Sequence, residues 1–81
     1  MIDIQPLSIL REIDRTGSLT QAADRLNLTQ SAVSHAIRRF EERHGVKLWE
    51  REGHKLRLTL AGEYLLGLAM RVLPQLERGA A

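Results

Sequence analysis

The chain has 81 residues, no cysteine, and 12 Lys and Arg against 10 Asp and Glu, for a formal net charge of +2. That length holds one small domain, without disulfides or thiolate metal sites to staple it, so a partner subunit is the expected extra source of stability. No run approaches the roughly 20 apolar residues of a membrane span, and the opening Met1-Ile-Asp-Ile-Gln-Pro6 lacks the blocks of a signal peptide, so a cytoplasmic chain without a membrane partner is expected.

The first helix is predicted to begin near Asp3, with Pro6 in the opening turn, where a missing N–H costs little. Leu7, Leu10 and Ile13 recur at helical spacing among charged Arg11, Glu12, Asp14 and Arg15. Thr16-Gly17 ends it, glycine tolerating the left-handed conformation that follows a helix. Ser18 restarts the chain as an N-cap, and Gln21 three residues on completes a capping-box pattern. Leu19, Ala22, Ala23 and Leu26 then follow helical spacing, the two alanines small enough for another helix to approach closely.

Asn27-Leu28-Thr29 reads as a tight turn: Asn27 takes the left-handed cap, Leu28 plugs the core and Thr29 caps the next helix. On a wheel advancing ~100° per residue, that third helix, about 30–43, gathers Val33, Ala36, Ile37 and Phe40 on one face. The opposite face collects Ser31, Ser34, His35, Arg38 and Glu42, with Gln30 and Arg39 on its flanks. An ordinary solvated helix would more often carry Glu–Lys pairs. Two helices at this spacing, the second with a polar and basic outward face, have the form of a helix-turn-helix that enters a DNA major groove.

After Gly45, Val46–Arg51 alternates apolar and charged residues, Glu52-Gly53-His54 supplies a turn, and Lys55–Leu58 alternates again. A two-stranded wing follows, with Leu48, Leu56 and Leu58 inward, Lys47, Arg51, Lys55 and Arg57 outward, and Trp49 helping it lean on the helices. Its tip either reaches phosphate or a minor groove, or is a plain charged hairpin. Thr59 caps a long last helix whose apolar arc holds Ala61, Leu65, Leu68, Ala69, Val72 and Leu76. That arc packs either on the chain's own helices or on a second copy; the helix outruns the core it could cover, which favours the homodimer. Pro74 is expected to kink the helix or end its regular part, and Gly79-Ala-Ala81 to trail off without structure.

Charge is unevenly spread. Residues 1–37 hold three Arg against four acids, residues 38–57 seven Lys or Arg against four, and residues 58–81 two against two. The basic excess sits at the end of the third helix and in the wing, as an anion-facing surface requires. His35, His44 and His54 lie nine and ten residues apart, without close ligand spacing, so no metal or cofactor is expected. No Gly-x-Ser-x-Gly elbow or phosphate loop accompanies the serines and histidines, so no catalytic residue is assigned and an enzyme is not expected.

The predicted fold is therefore mainly α: a winged helix-turn-helix of three helices and a two-stranded wing over 1–58, then a linker helix over 59–81 that dimerises. Base edges are assigned to Gln30, Ser31, Ser34, His35 and Arg38, whose side chains match their donor and acceptor patterns. The DNA backbone is assigned to Ser18, Thr20, Thr29, Arg39, Arg51, His54 and Lys55. The alternative is a winged helix used for protein–protein contact, which would carry a more apolar outward face on the third helix.

The blocks Gly17–Leu26, Thr29-Gln-Ser-Ala-Val-Ser34, Ile37-Arg-Arg-Phe-Glu41, Gly45–Arg51 and Leu58-Thr-Leu-Ala-Gly-Glu63, in this order, resemble the N-terminal DNA-binding domain of LysR-type transcriptional regulators. The likeness covers nearly the whole chain. That family usually has Pro at Ser31, a long polar residue at His35, Leu at Phe40 and Phe at Trp49. The last two departures keep an apolar role, whereas Ser31 and His35 lie on the reading face and alter which bases are preferred. The Gln30–His35 run and Val72-Leu-Pro-Gln-Leu76 are similar to the branch that regulates methionine biosynthesis. The resemblance implies double-stranded DNA as partner, a dyad-symmetric site bound by two copies, and RNA polymerase as a partner of the full-length protein. It also implies that the 81 residues are a DNA-binding fragment with its linker helix, separate from a larger effector-sensing domain.

Overall fold

The computed structural model describes residues 3–53 and 55–79. Four helices and one hairpin follow in the predicted order: α1 (Gln5–Thr16), α2 (Leu19–Arg25), α3 (Gln30–His44), β1 (Trp49–Glu52), β2 (Lys55–Leu58) and α4 (Leu60–Gly79).

Each boundary has a local cause. α1 starts behind Ile4, which as N-cap makes no side-chain cap hydrogen bond, while Asp3 Oδ1, one residue further out, accepts the Gln5 N–H at 3.0 Å. Gly17 closes α1 at φ 72°, its N–H donating to the Ile13 carbonyl. Ser18 Oγ accepts from Gln21 N at 3.2 Å, one half of the expected capping box; the Ser18 N–H goes instead to Thr16 Oγ1 at 3.3 Å. Asn27 takes the left-handed turn at φ 57°, and Thr29 Oγ1 accepts from Ala32 N at 3.0 Å to start α3.

The core is continuous from α1 through α3 to the wing. Ile9, Leu10, Ala22, Val33, Ile37 and Leu48 are essentially sealed from solvent, with Phe40, Trp49, Leu56 and Leu58 packed half-buried around them. A second cluster, Leu7, Ala69 and Leu73, fastens α4 along α1. Ala69 is fully buried there and has no surface to offer a second copy, which corrects its place in the expected dimer face. Leu65 is drawn into both clusters and half-buried.

Three expectations about the wing and α4 are corrected. β1 begins at Trp49, because Leu48 keeps only half of its pairing with Thr59, the residue opposite it in register, and turns its own N–H to a side chain of α3. The Leu48 N–H donates to Glu41 Oε2 at 2.8 Å, the Leu48 carbonyl accepts from Thr59 N at 3.0 Å, and Thr59 Oγ1 donates to the Lys47 carbonyl. Arg51 pairs in register with Leu56, and Trp49 with Leu58, so Arg51 shares the helix-facing side with those leucines rather than pointing out with Lys55 and Arg57. Finally, the regular part of α4 does not end at Pro74, and Gly79, expected to trail off, is the last residue of the helix. The segment beyond the proline is held to α1 by Arg11, whose two terminal nitrogens donate to Glu77 Oε1 and Oε2 at 3.1 and 2.6 Å. Ala80 and Ala81 lie outside the described residues.

Among the described residues, one charged side chain is buried. Glu12 is 5% exposed; its Oε1 accepts from Arg25 Nε at 2.7 Å, and its Oε2 lies 3.4 Å from Arg15 and 3.8 Å from Arg11. A buried carboxylate persists only when paired, and here it ties α1 to α2.

Candidate nucleic-acid interface

Burying Val33, Ala36 and Ile37 fixes the rotation of α3 and turns its other face outward. Gln30, Ser31, His35 and Arg38 are exposed and Ser34 is half-buried. These five side chains, with Leu19, Ala32 and Arg51, line one shallow concavity of about 610 Å³. The structure thus gathers all five residues assigned to base edges in one place. It adds Arg51 from the wing, exposed and lining the same concavity.

The residues assigned to the DNA backbone separate into groups. Arg51 and Lys55 line an adjoining recess with Gly17, Leu19 and Leu56, so the wing and the α1–α2 turn form a basic continuation of the concavity. Among the described residues neither forms an ion pair. By contrast, Arg57 Nη1 is held by Glu52 at 2.7 Å. Ser18 and Thr29 use their hydroxyl oxygens to cap α2 and α3, which leaves each O–H hydrogen free to donate. Thr20 is exposed, and its Oγ1 accepts from Gln30 Nε2 at 3.0 Å. Arg39 is not brought to this surface: it lines a different groove with Phe40, Arg43, Leu65 and Leu68 between α3, α1 and α4. His54 lies outside the described residues.

Leu19 and Ala32 belong to the surface although sequence reasoning passed over them. Leu19 keeps helical spacing with Ala22 and Ala23, the pattern of an inward face, and it does pack half-buried against the core as well as lining this surface. Ala32 is a small apolar residue within an otherwise polar N-terminal turn, and that contrast was the available signal. Arg51 belongs to the surface as expected for a DNA contact, but from the inner side of the wing rather than the outer one. Among the described residues no group of three or more His, Cys, Asp or Glu side chains is placed to hold a metal ion, and no helix is long and apolar enough to cross a membrane.

Comparison with known proteins agrees with this geometry. The regulator MetR of Haemophilus influenzae is 45% identical over 74 residues, covering 91% of this chain and 24% of its own length. MetR of Salmonella typhimurium is 46% identical over 78 residues, covering 96% and 25%. The chain thus spans about a quarter of the length of these curated relatives. Among solved structures, the DNA-binding domain of CbnR in complex with DNA superposes with a TM-score of 0.82 at 28% identity, covering 98% of this chain and 91% of that one. The BenM DNA-binding domain bound to catB site 1 DNA gives 0.85 at 25%, covering 98% and 88%. The profile described as bacterial regulatory helix-turn-helix protein, lysR family, matches residues 4–63. The chain therefore belongs to the lysR family of bacterial regulatory helix-turn-helix proteins.

Proposed function

We propose that this chain is the sequence-reading head of a transcriptional regulator and binds double-stranded DNA with α3 in the major groove. The observation that carries this reading is the single exposed surface that joins Gln30, Ser31, Ser34, His35 and Arg38 to Arg51. Gln suits adenine, Arg suits guanine, and the serines suit several edges, while Leu19 and Ala32 offer apolar contact to a thymine methyl. Ser18, Thr29, Arg51 and Lys55 hold phosphates, and Arg39 meets the backbone at the flank of α3. The relatives and structural neighbours that are regulators and DNA complexes support the same use.

Residues 1–58 form the reading unit and 59–81 the linker helix. Two copies associate through the side of α4 that its own core leaves open, where Leu76 is 47% exposed and Val72 half-buried, bordered by Ala61, Leu65 and Leu68, which pack half-buried against the chain's own clusters. Such a pair presents two reading heads to a dyad-symmetric site. The chain works in the cytoplasm, without catalysis, and RNA polymerase is a partner of the longer protein. The MetR relatives and the Gln30–His35 and Val72–Leu76 segments favour a role in methionine metabolism. A protein-contact module would call for an apolar outward face on α3, and this face is polar.

The test is binding to a fluorescent duplex across a salt series. Phosphate contacts by Arg and Lys give an affinity that falls linearly on a log–log plot, with a slope of about −0.9 per contact. Binding that ignores salt, or none at low salt, overturns the reading.

A further inference from the structure

One side chain on the reading face is already engaged. Gln30, at the first position of α3, donates from Nε2 to Thr20 Oγ1 at 3.0 Å, joining the first turn of α3 to the first turn of α2. Both residues are exposed, so the bond contributes little to folding, water being an equal partner for either group. Its effect is on orientation. A glutamine has three rotatable side-chain bonds, and in water its carboxamide samples many directions.

The hydrogen-bond inventory of the pair is informative. A primary amide donates two hydrogens and accepts at its oxygen; one hydrogen is taken by Thr20, leaving one N–H and Oε1. One donor beside one acceptor is the pattern that the major-groove edge of adenine requires, with N7 accepting and N6–H₂ donating. Thr20 accepts through its oxygen lone pair, so its own O–H hydrogen remains to be donated to an anionic oxygen.

We propose that Thr20 is a positioning residue for base discrimination: its hydroxyl holds the Gln30 carboxamide ready for an adenine edge while donating its own hydrogen to the neighbouring phosphate. Backbone contact and base reading are thereby coupled through one oxygen atom. The proposal rests on the DNA-reading function above and goes beyond it, because a threonine that merely touched phosphate would weaken binding to all sequences alike.

The experiment uses the 81-residue chain and Thr20→Val, Thr20→Ser, Gln30→Ala and Thr20→Val/Gln30→Ala variants. Each is titrated against a pool of randomised duplexes and the retained strands are sequenced. Thr20→Val keeps the shape and removes the hydroxyl; Thr20→Ser keeps the hydroxyl. Thr20→Val is expected to lower the preference for adenine at one position by about 2- to 10-fold, the worth of one hydrogen bond. That position is the one lost in Gln30→Ala, Thr20→Ser retains the preference, and the double variant loses no more preference than Gln30→Ala. If Thr20→Val weakens every sequence equally and leaves the preference intact, Thr20 is a phosphate contact only and the proposal is overturned while the DNA-reading function stands. If the unsubstituted chain enriches no sequence, the DNA-reading function falls and the proposal with it.

Discussion

Two glycines of α4 should respond to alanine in opposite directions. Gly62 is buried in the first turn, beneath the strand that leads into the wing. A methyl built on it falls inside the van der Waals envelope of the Leu48 carbonyl oxygen, with the Leu48 carbonyl carbon at 3.0 Å and Leu58 Cβ at 3.3 Å. That carbonyl cannot swing aside, because it accepts the Thr59 N–H at 3.0 Å. Overpacking costs about 1–3 kcal/mol, and backbone that cannot yield puts Gly62→Ala at or beyond the upper end. Helix propensity returns about 1 kcal/mol, leaving a net loss of roughly 2 kcal/mol. For a domain this size that is a fall of about 8–16 °C in Tm. Gly67 has nothing within 4 Å of the same added methyl, so Gly67→Ala keeps only the propensity gain and should raise Tm by a few degrees. Thermal unfolding followed by circular dichroism, with urea midpoints as a check, measures both. A Gly62→Ala protein as stable as the parent would refute the close approach of α4 to the Leu48 backbone, and with it the placement of the wing.

Glu12→Ala leaves Arg25, Arg15 and Arg11 around an empty site in the core. Breaking a buried pair costs about 3–5 kcal/mol, but Arg25 and Arg15 are half exposed, so a loss of about 2 kcal/mol is expected from urea unfolding. Arg11 holds the Glu77 carboxyl below the usual carboxylate range, chiefly by hydrogen bonding. A depressed folded pKa stabilises above the unfolded value, near pH 4.5, and that stabilisation is lost as pH falls through the folded pKa. Glu77→Gln should therefore lower the urea midpoint at pH 7, and the gap to the parent should shrink toward pH 3. Arg38→Ala should cost about 1–3 kcal/mol on the preferred duplex and relax one base position, whereas Lys55→Ala should weaken all duplexes and reduce the salt slope by about 1; pool titrations at several salt concentrations separate the two. Leu76→Glu should shift sedimentation toward the monomer with helicity unchanged; an unmoved profile would remove that edge of α4 from the dimer interface.

The elements were legible in the sequence because each is bounded by a residue with a mechanism. Ser18, Asn27, Thr29, Gly45 and Thr59 cap or turn the chain where they were read to do so. The outward face of α3 was legible for the same reason, a helical wheel being enough once Val33 and Ile37 are known to be core. What was not legible depends on residues far apart. The alternation Val46–Arg51 looks like a single strand, yet Leu48 and Trp49, adjacent in sequence, both serve the core. The alternation therefore changes phase between them, which carries Arg51 to the inner side. Glu12 reads as one more charge in a charged helix. Its spacing of three from Ile9 places it on the apolar arc, but Arg25, which satisfies it, is 13 residues away. Ala69 keeps the same spacing whether it meets α1 or a second copy, so periodicity alone could not choose between them.

The central claim is that the outward face of α3, together with Arg51 and Lys55, is where DNA sits. Chemical-shift mapping of the backbone amides during titration with a duplex tests it most directly. The expected result is that the largest changes fall at residues 18–20, 29–38 and 51–55, and saturate together. Changes concentrated on the groove of Leu7, Phe40 and Leu68, or no changes at low salt, would contradict the account.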